Sequence, residues 1–360
     1  MRLKKGPPDF ILFITTLALV GIGLIMVFSS SAVTSSVEHG NAYHFFKRQL
    51  MWAAIGLVTM IVIMRINYLR LKDLAFPIMI ISVVCLLLVL TPLGIEAKGS
   101  TRSLGVGGLS FTPSELVKLA MVMFLAKTME INIDKIKSFK HGVLPYLLIM
   151  AVVCAFIIKQ PDLGTSFAVA GTVFCMLMVA GAQWGHLAGL ALAGAGTVAL
   201  AILLAPYRAE RFLAFLDPWK YPSDQGFQTI QSLYALGSGG LFGMGLGRSR
   251  QKFFYLPEQH TDFIFAIWAE ELGFMGVLLV LTLFLLFAWR GFRIAINAPD
   301  TFGSLLAAGI TIMIIFQAFV NIGVVSGALP VTGITLPFIS YGGSSLLFTM
   351  AGVGLLLNVS

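Results

Sequence analysis

Charge is scarce in this sequence: 11% of its 360 residues are Asp, Glu, Lys or Arg, against 58% that are hydrophobic. Soluble domains carry about 25% charged residues. The shortage excludes an aqueous surface for most of the chain and makes lipid its solvent. Cysteine is scarce too. Cys85, Cys154 and Cys175 all fall inside apolar runs, which excludes a disulfide framework or a zinc site and leaves them as packing residues. His39, His44, His141 and His186 are scattered in loops without metal-ligand spacing. The glycines at 239–247 have no strand before them and no Lys-Ser/Thr pair at the right distance after them, so no nucleotide loop is present. Internal repeats of roughly 20–50 residues are missing, as is a soluble second domain. No cleavable leader is expected either. The first apolar run, Phe10 to about Val33, exceeds a signal core and should remain as the first anchor.

What is present is a series of continuous apolar runs, each long enough for a helix to cross a hydrocarbon layer about 30 Å thick. Their continuity argues against barrel strands, which alternate over about ten residues. Helices are expected near 10–33, 49–66, 74–92, 113–130, 142–159, 163–182, 186–205, 263–289, 303–326 and 339–357. The fold class is therefore an all-α polytopic membrane protein of about ten transmembrane helices, a single integral membrane domain over 1–360. The net charge of +8 reads as topology, not nucleic-acid binding, because the basic residues sit mainly between spans. Arg2, Lys4, Lys5, Arg65, Arg70, Lys72, Lys127, Lys135, Lys137, Lys140, Arg290 and Arg293 share one side. The other short loops hold only Lys47, Arg48, Lys98, Arg102 and Lys159. The positive-inside rule then places both termini in the cytoplasm. One large extracytoplasmic loop, 206–262, lies between helices seven and eight and should carry short interfacial helices. The sequence stops at Ser360, just past the last predicted helix, so recognition through a cytoplasmic tail is not expected.

Ionisable groups near membrane depth cost several kcal/mol, so each calls for an explanation. Glu115 and Lys118, three apart on one helix face, suit a buried ion pair as well as a substrate contact. Asp162 follows Gln160-Pro161, where a helix cap and an outward polar cavity are equally good explanations. Asp262 closes the long loop at the start of a helix, with His260, Lys252 and Arg250 close by in sequence. A carboxylate there can take a proton from a sugar hydroxyl while cations hold a phosphate. The competing explanation is an N-cap. Glu270 and Glu271, deeper on that helix, suit structural bonds better than chemistry. The strip Arg248, Arg250, Lys252 after the glycines suits a pyrophosphate or, equally, lipid headgroups.

Taken together, the motifs point to a family. Pro113-Ser114-Glu115-Leu116-Val117-Lys118, Gln160-Pro161-Asp162-Leu163-Gly164-Thr165, Gly226-Phe227-Gln228, Gly239-Gly240-Leu241-Phe242-Gly243 and Pro257-Glu258-Gln259-His260-Thr261-Asp262 resemble signature segments of the SEDS family. So do Pro330-Val331-Thr332-Gly333-Ile334-Thr335-Leu336-Pro337-Phe338 and Ser340-Tyr341-Gly342-Gly343-Ser344-Ser345. The order is kept from the first helix to the last. Arg248-Ser249-Arg250-Gln251-Lys252-Phe253-Phe254-Tyr255-Leu256 is most similar to the division and sporulation branch, FtsW and SpoVE, with RodA as near relative. The resemblance implies a SEDS-type bundle in the bacterial cytoplasmic membrane that polymerises lipid II, with a strand on undecaprenyl pyrophosphate as donor. It makes Asp262 the catalytic carboxylate, a general base on the acceptor 4-hydroxyl, and ties Glu115, Lys118 and Asp162 to activity or cavity architecture. Arg48, Arg102, Arg208 and Lys252 become candidates for pyrophosphate contact by charge and side, and His260 joins the substrate-facing set. No resident metal or cofactor is called for, although a divalent cation at the pyrophosphate is compatible. A class B penicillin-binding protein, the transpeptidase, is the implied partner, besides membrane lipid. Two other readings use the same residues: a lipid II flippase, and a scaffold that only recruits the transpeptidase.

Overall fold

The computed structural model describes residues 8–97, 100–106, 109–203, 206–223 and 226–360. Arg2, Lys4, Lys5 and Lys98 lie outside these, as do the side chains of Arg208 and Arg211.

Each of the ten expected spans coincides with a helix. In order these are α1 (Phe10–His39), α2 (His44–Arg65), α3 (Tyr68–Val89), α4 (Pro113–Ile131), α5 (Leu144–Ile158), α6 (Leu163–Val179) and α7 (Trp184–Leu203). Two short helices, α8 (Pro206–Leu216) and α9 (Phe227–Gly239), occupy the long loop, and α10 (Ile264–Asn297), α11 (Thr301–Val325) and α12 (Gly343–Val359) complete the bundle. By length and apolarity, α1, α2, α3, α10, α11 and the run Phe139–Ile158 that contains α5 can each cross a membrane. The shorter helices α6 and α12 are also apolar.

Two features depart from the expected pattern. Residues 330–342 are not helical, so α12 starts at Gly343 and not near 339. Between α3 and α4 a small antiparallel sheet joins β1 (Gly94–Ala97), β2 (Ser100–Val106) and β3 (Leu109–Phe111), with Ile95 opposite Ser103 and Leu104 opposite Phe111. It is an addition to an otherwise helical architecture.

The centre of the bundle is α4 against α11, with α6 and α12 packed around them. This explains how α4 carries Glu115, Lys118, Lys127 and Glu130. Its middle, Val117 to Ala126, is buried by protein, so its charges face partners and not acyl chains. Helix starts follow local chemistry: Asp9, Asn67, Asp162 and Asp300 each accept a bond from a backbone N–H in the first turn that follows.

At one end of the bundle the first and last helices are tied together. Arg290 pairs with Asp9 (Nε to Oδ2, 2.9 Å), and the Asp9 N–H donates to Ser360 Oγ at 3.1 Å. Asn358 Nδ2 donates to the Ile63 and Met64 carbonyls at 2.7 and 2.9 Å, and the Tyr68 hydroxyl donates to Asp300. The opposite end collects the C-termini of α1 and α3, the N-termini of α2, α4, α6, α10 and α12, the sheet and the long loop.

α10 is interrupted at Gly273 (φ 63°, ψ −161°). The backbone groups released there are taken up by the glycine segment that follows α9. Met244 and Gly245 N–H donate to the Glu270 and Glu271 carbonyls at 3.0 and 2.9 Å, and Phe274 and Met275 N–H donate to Gly240 and Leu241 at 2.9 and 3.1 Å. Such repair is the condition for broken backbone at membrane depth. It also dictates the glycines, because a Cβ on Gly243 would sit 2.1 Å from the Glu271 carbonyl and one on Gly273 2.4 Å from Gly243 N.

Candidate active site

Asp262 ends a tight turn that its neighbours hold on every side. Thr261 and Phe263 N–H both donate to the Glu258 carbonyl, at 3.1 and 3.2 Å. Gln259 Nε2 reaches α1 at the Ser30 carbonyl (3.1 Å) and Thr34 Oγ1 (2.8 Å). The three carbonyls that follow are each taken by a different group: His260 by Tyr341 N–H (2.9 Å), Thr261 by Ser340 Oγ (2.6 Å) and Asp262 by Asn321 Nδ2 (2.7 Å). The N-cap position of α10 is Phe263, whose own side chain makes no capping bond, and Asp262 stands one residue before it. Its carboxylate is partly exposed and lies across from Gly333, where an added Cβ would stand 3.7 Å from Oδ2.

The segment 330–342 is the frame for this turn, and α11 anchors it. Gln317 Nε2 donates to the Thr335 carbonyl at 2.9 Å, and Asn321 Nδ2 also donates to Ile334 at 2.7 Å. Gln49 of α2 grips the other end, donating to the Ser340 carbonyl and accepting from Gly342 N–H, both at 3.2 Å. Gln317 Oε1 in turn accepts from Lys118 at 2.7 Å, and Lys118 pairs with Glu115 at 2.8 Å. The ion pair on α4 is thus joined through one amide to the segment facing Asp262. Lys118 is buried, so both of its described bonds lie within the protein. Gln317 and Asn321 escaped the sequence reading. Two amides four residues apart on the most buried of the long apolar helices were the available signal, because a polar group there needs a partner.

Asp162 caps α6, accepting from Thr165 N–H at 3.0 Å and Thr165 Oγ1 at 2.8 Å. It is buried, and the cap explanation is the one the geometry supports. The first turn of α6 still abuts the site frame: a Cβ on Gly164 would fall 2.4 Å from the Thr332 carbonyl. Arg102, on β2, donates to the Gln160 and Pro161 carbonyls at 3.3 and 2.5 Å. It clamps the α5–α6 turn in which Pro161 is held at φ 28°.

Across the turn, His260 lies against Phe45 (ring centroids 4.8 Å) and Tyr341 (5.6 Å), which touch each other at 5.1 Å. Burial raises the pKa of the Tyr341 hydroxyl, and the charge of nearby Arg48 partly opposes the shift. Arg48 therefore brings a partly exposed cation to the aromatic side of the Asp262 turn.

Lys252, like Lys118, is a buried cation paired with a glutamate. Its ammonium lies 3.1 Å from Glu271 Oε1, both groups are buried, and Ser29 Oγ donates to the same carboxylate at 2.7 Å. Glu270 accepts from Ser249 Oγ and from Arg250 N–H (3.0 Å). The two carboxylates thus fasten the basic strip to α10. Lys252 holds its own loop in place, and a direct phosphate contact would require it to leave Glu271.

Among the described residues no three His, Cys, Asp or Glu side chains converge on a metal-sized site. An ion held by one or two carboxylates and substrate phosphates needs no such cage. What the geometry offers is a partly exposed carboxylate on an over-determined turn, near a cation and aromatic rings.

Known proteins share this architecture along the whole chain. Stage V sporulation protein E of Bacillus subtilis (strain 168) is 51% identical, over 100% of this chain and 99% of that protein. The probable peptidoglycan glycosyltransferase FtsW of Geobacter sp. (strain M18) is 43% identical over 100% and 98%. Among solved structures, a chain from a study of how a peptidoglycan synthase complex coordinates polymerization and crosslinking aligns with a TM-score of 0.82. It shares 37% identity and covers 98% of this chain and 97% of its own. The rod shape determining protein RodA of Thermus thermophilus aligns at 0.72, with 33% identity, over 98% and 96%. Residues 10–360 match the cell cycle protein family of FtsW, RodA and SpoVE, and the chain belongs to that family.

Proposed function

We propose that this protein is a peptidoglycan glycosyltransferase that polymerises lipid II at the outer face of the bacterial cytoplasmic membrane. The observation that carries the reading is Asp262, a partly exposed carboxylate whose turn is pinned to α1, α11 and the 330–342 segment. In the reaction the acceptor 4-hydroxyl attacks C1 of the donor sugar, and the C1–oxygen bond to the donor's pyrophosphate breaks. The hydroxyl proton passes to Asp262 and undecaprenyl pyrophosphate departs with the bonding electrons. A pinned turn contributes by holding the base in hydrogen-bond reach of that hydroxyl without further ordering.

The end holding Asp9 and Ser360 is assigned to the cytoplasm from the excess of Lys and Arg there, and the Asp262 end to the outside. Arg48 is the partly exposed cation best placed for pyrophosphate. Arg102, Glu115, Lys118 and Asp162 act by holding the α5–α6 turn and the segment facing Asp262, and Lys252 by holding the loop before it. The side-chain role of Arg208 rests on charge and side. A divalent cation, if bound, would neutralise the departing pyrophosphate. A class B penicillin-binding protein is the proposed partner, a reading supported by likeness to a chain of a peptidoglycan synthase complex.

The broken helix α10 is what a flippase reading would claim, since transporters use free half-helix ends to bind substrate. Here two N–H groups and two carbonyls at the break are taken by residues 240–245, which argues against that use of the break. The test is polymerisation of labelled lipid II by reconstituted wild type and Asp262→Asn, with and without the transpeptidase. Strands from the wild type alone, with both proteins equally folded, are expected. Equal polymer from both would refute Asp262 as base. No polymer from either, together with lipid II transfer across liposomes, would replace the enzyme by a flippase.

A further inference from the structure

The long loop carries a row of exposed apolar side chains that the reaction does not use. Phe242 is 77% exposed, Leu241 61%, Leu246 55%, Phe253 52% and Phe254 57%, with exposed Arg248 and Arg250 between them. On a loop surrounded by water such a row would be costly, and patches of this kind mark a lipid or protein contact.

Two measures of depth and the continuity of the row with α10 favour lipid. Residues 240–245 are bonded to α10 at residues 270–275, which at 1.5 Å per residue is roughly 9–17 Å below the helix start at Ile264. Lys252 lies within 3.5 Å of Ser29 Oγ, and Ser29 is ten residues, or about 15 Å, below the end of α1 at His39. Both place the row below the outer ends of two helices that are long and apolar enough to cross a membrane. It is also continuous with the lipid-facing side of α10. That helix is buried from Ile264 to Glu271 and exposes apolar residues only from Phe274 and Met275 onward, beginning where Leu241 is bonded.

We propose that residues 240–255 are seated in the outer lipid leaflet, taking the place of the lipid-facing surface that α10 lacks in its first two turns. Leu241, Phe242, Leu246, Phe253 and Phe254 enter the acyl chains, and Arg248 and Arg250 extend toward phospholipid phosphates. The partner is the lipid surface. The seat fixes the height of the turn bearing Asp262 relative to the membrane, but it rests only on the membrane-spanning fold, so it stands or falls separately from the enzymatic reading.

The test is spin-label accessibility in reconstituted full-length protein with Cys85, Cys154 and Cys175 replaced by alanine. Single labels at positions 242, 246 and 254 are compared with Leu285, on the exposed face of α10, and Lys137, in a loop at the other end. Ratios of oxygen to nickel-chelate accessibility matching Leu285 are expected. Ratios matching Lys137 would mean water, and low access to both reagents would mean cover by protein; either overturns the proposal. If the cysteine-free background does not fold, Phe242→Trp in the native background gives the same readout. Additional quenching by brominated lipid relative to wild type is then expected, and quenching by aqueous acrylamide instead would refute the seat.

Discussion

Replacing Lys252 by methionine should destabilise the protein through the carboxylate it leaves behind. Lys252 Nζ stands 3.1 Å from Glu271 Oε1 with both groups buried. At an effective dielectric constant of about 20, that separation corresponds to an attraction of about 5 kcal/mol. Removing one member of a buried pair typically costs about 3–5 kcal/mol, because the remaining charge is desolvated without compensation. In Lys252→Met, Glu271 would retain Ser29 Oγ and the more distant Ser249 N–H (3.4 Å). At roughly 2 °C per kcal/mol for a chain of this size, the single variant should lose about 6–10 °C of thermal stability. The assay is the fraction of detergent-solubilised protein that stays monodisperse after heating, compared among wild type, Lys252→Met, Glu271→Gln and the double variant. The double variant should recover most of the loss, since it removes the orphaned charge. If the two single losses simply add in the double variant, the side chains are not coupled and the argument fails.

Asn321→Leu removes two bonds, to the Asp262 and Ile334 carbonyls at 2.7 Å each, so it should loosen Asp262, the proposed base, relative to its frame. A fall in kcat larger than any change in KM for lipid II is expected in a turnover assay, and an effect confined to KM would contradict the positioning role. Tyr341 gives a pH dependence. Burial holds its hydroxyl above the ordinary value of 10.0, so above that pH the unfolded chain loses a proton that the folded chain keeps. Its contribution to stability is therefore complete below about pH 10 and declines above it. Thermal stability of Tyr341→Phe should fall less than that of wild type between about pH 10 and 11, and parallel curves would refute the assignment.

How much of this was readable from the sequence varies with the physics of each feature. All ten helices expected from apolar runs are present, six of them long and apolar enough to cross a membrane, because membrane insertion depends on hydropathy summed along one continuous segment. The sheet at 94–111 did not, since its strands are short and interrupted by glycine. Asp162 and Asp262 both preceded helices and looked alike as caps. Only the fold separated them, giving Asp162 to Thr165 and leaving the cap of α10 to Phe263. Glu115 and Lys118 declared each other by spacing, whereas their link to Gln317 crosses 199 residues of chain.

The sequence by itself determined that the protein lives in lipid, where its helices run, which end gathers the polar motifs and which family those motifs resemble. Each of these depends on composition or order within a segment. Tertiary structure alone decided that Lys252 is committed to Glu271, that Arg102 clamps a turn, and that three successive carbonyls before α10 are held by Tyr341, Ser340 and Asn321. Those pairings join segments far apart in the chain. In a medium without water buried backbone groups must find their partners within the protein, and only packing determines which ones they meet.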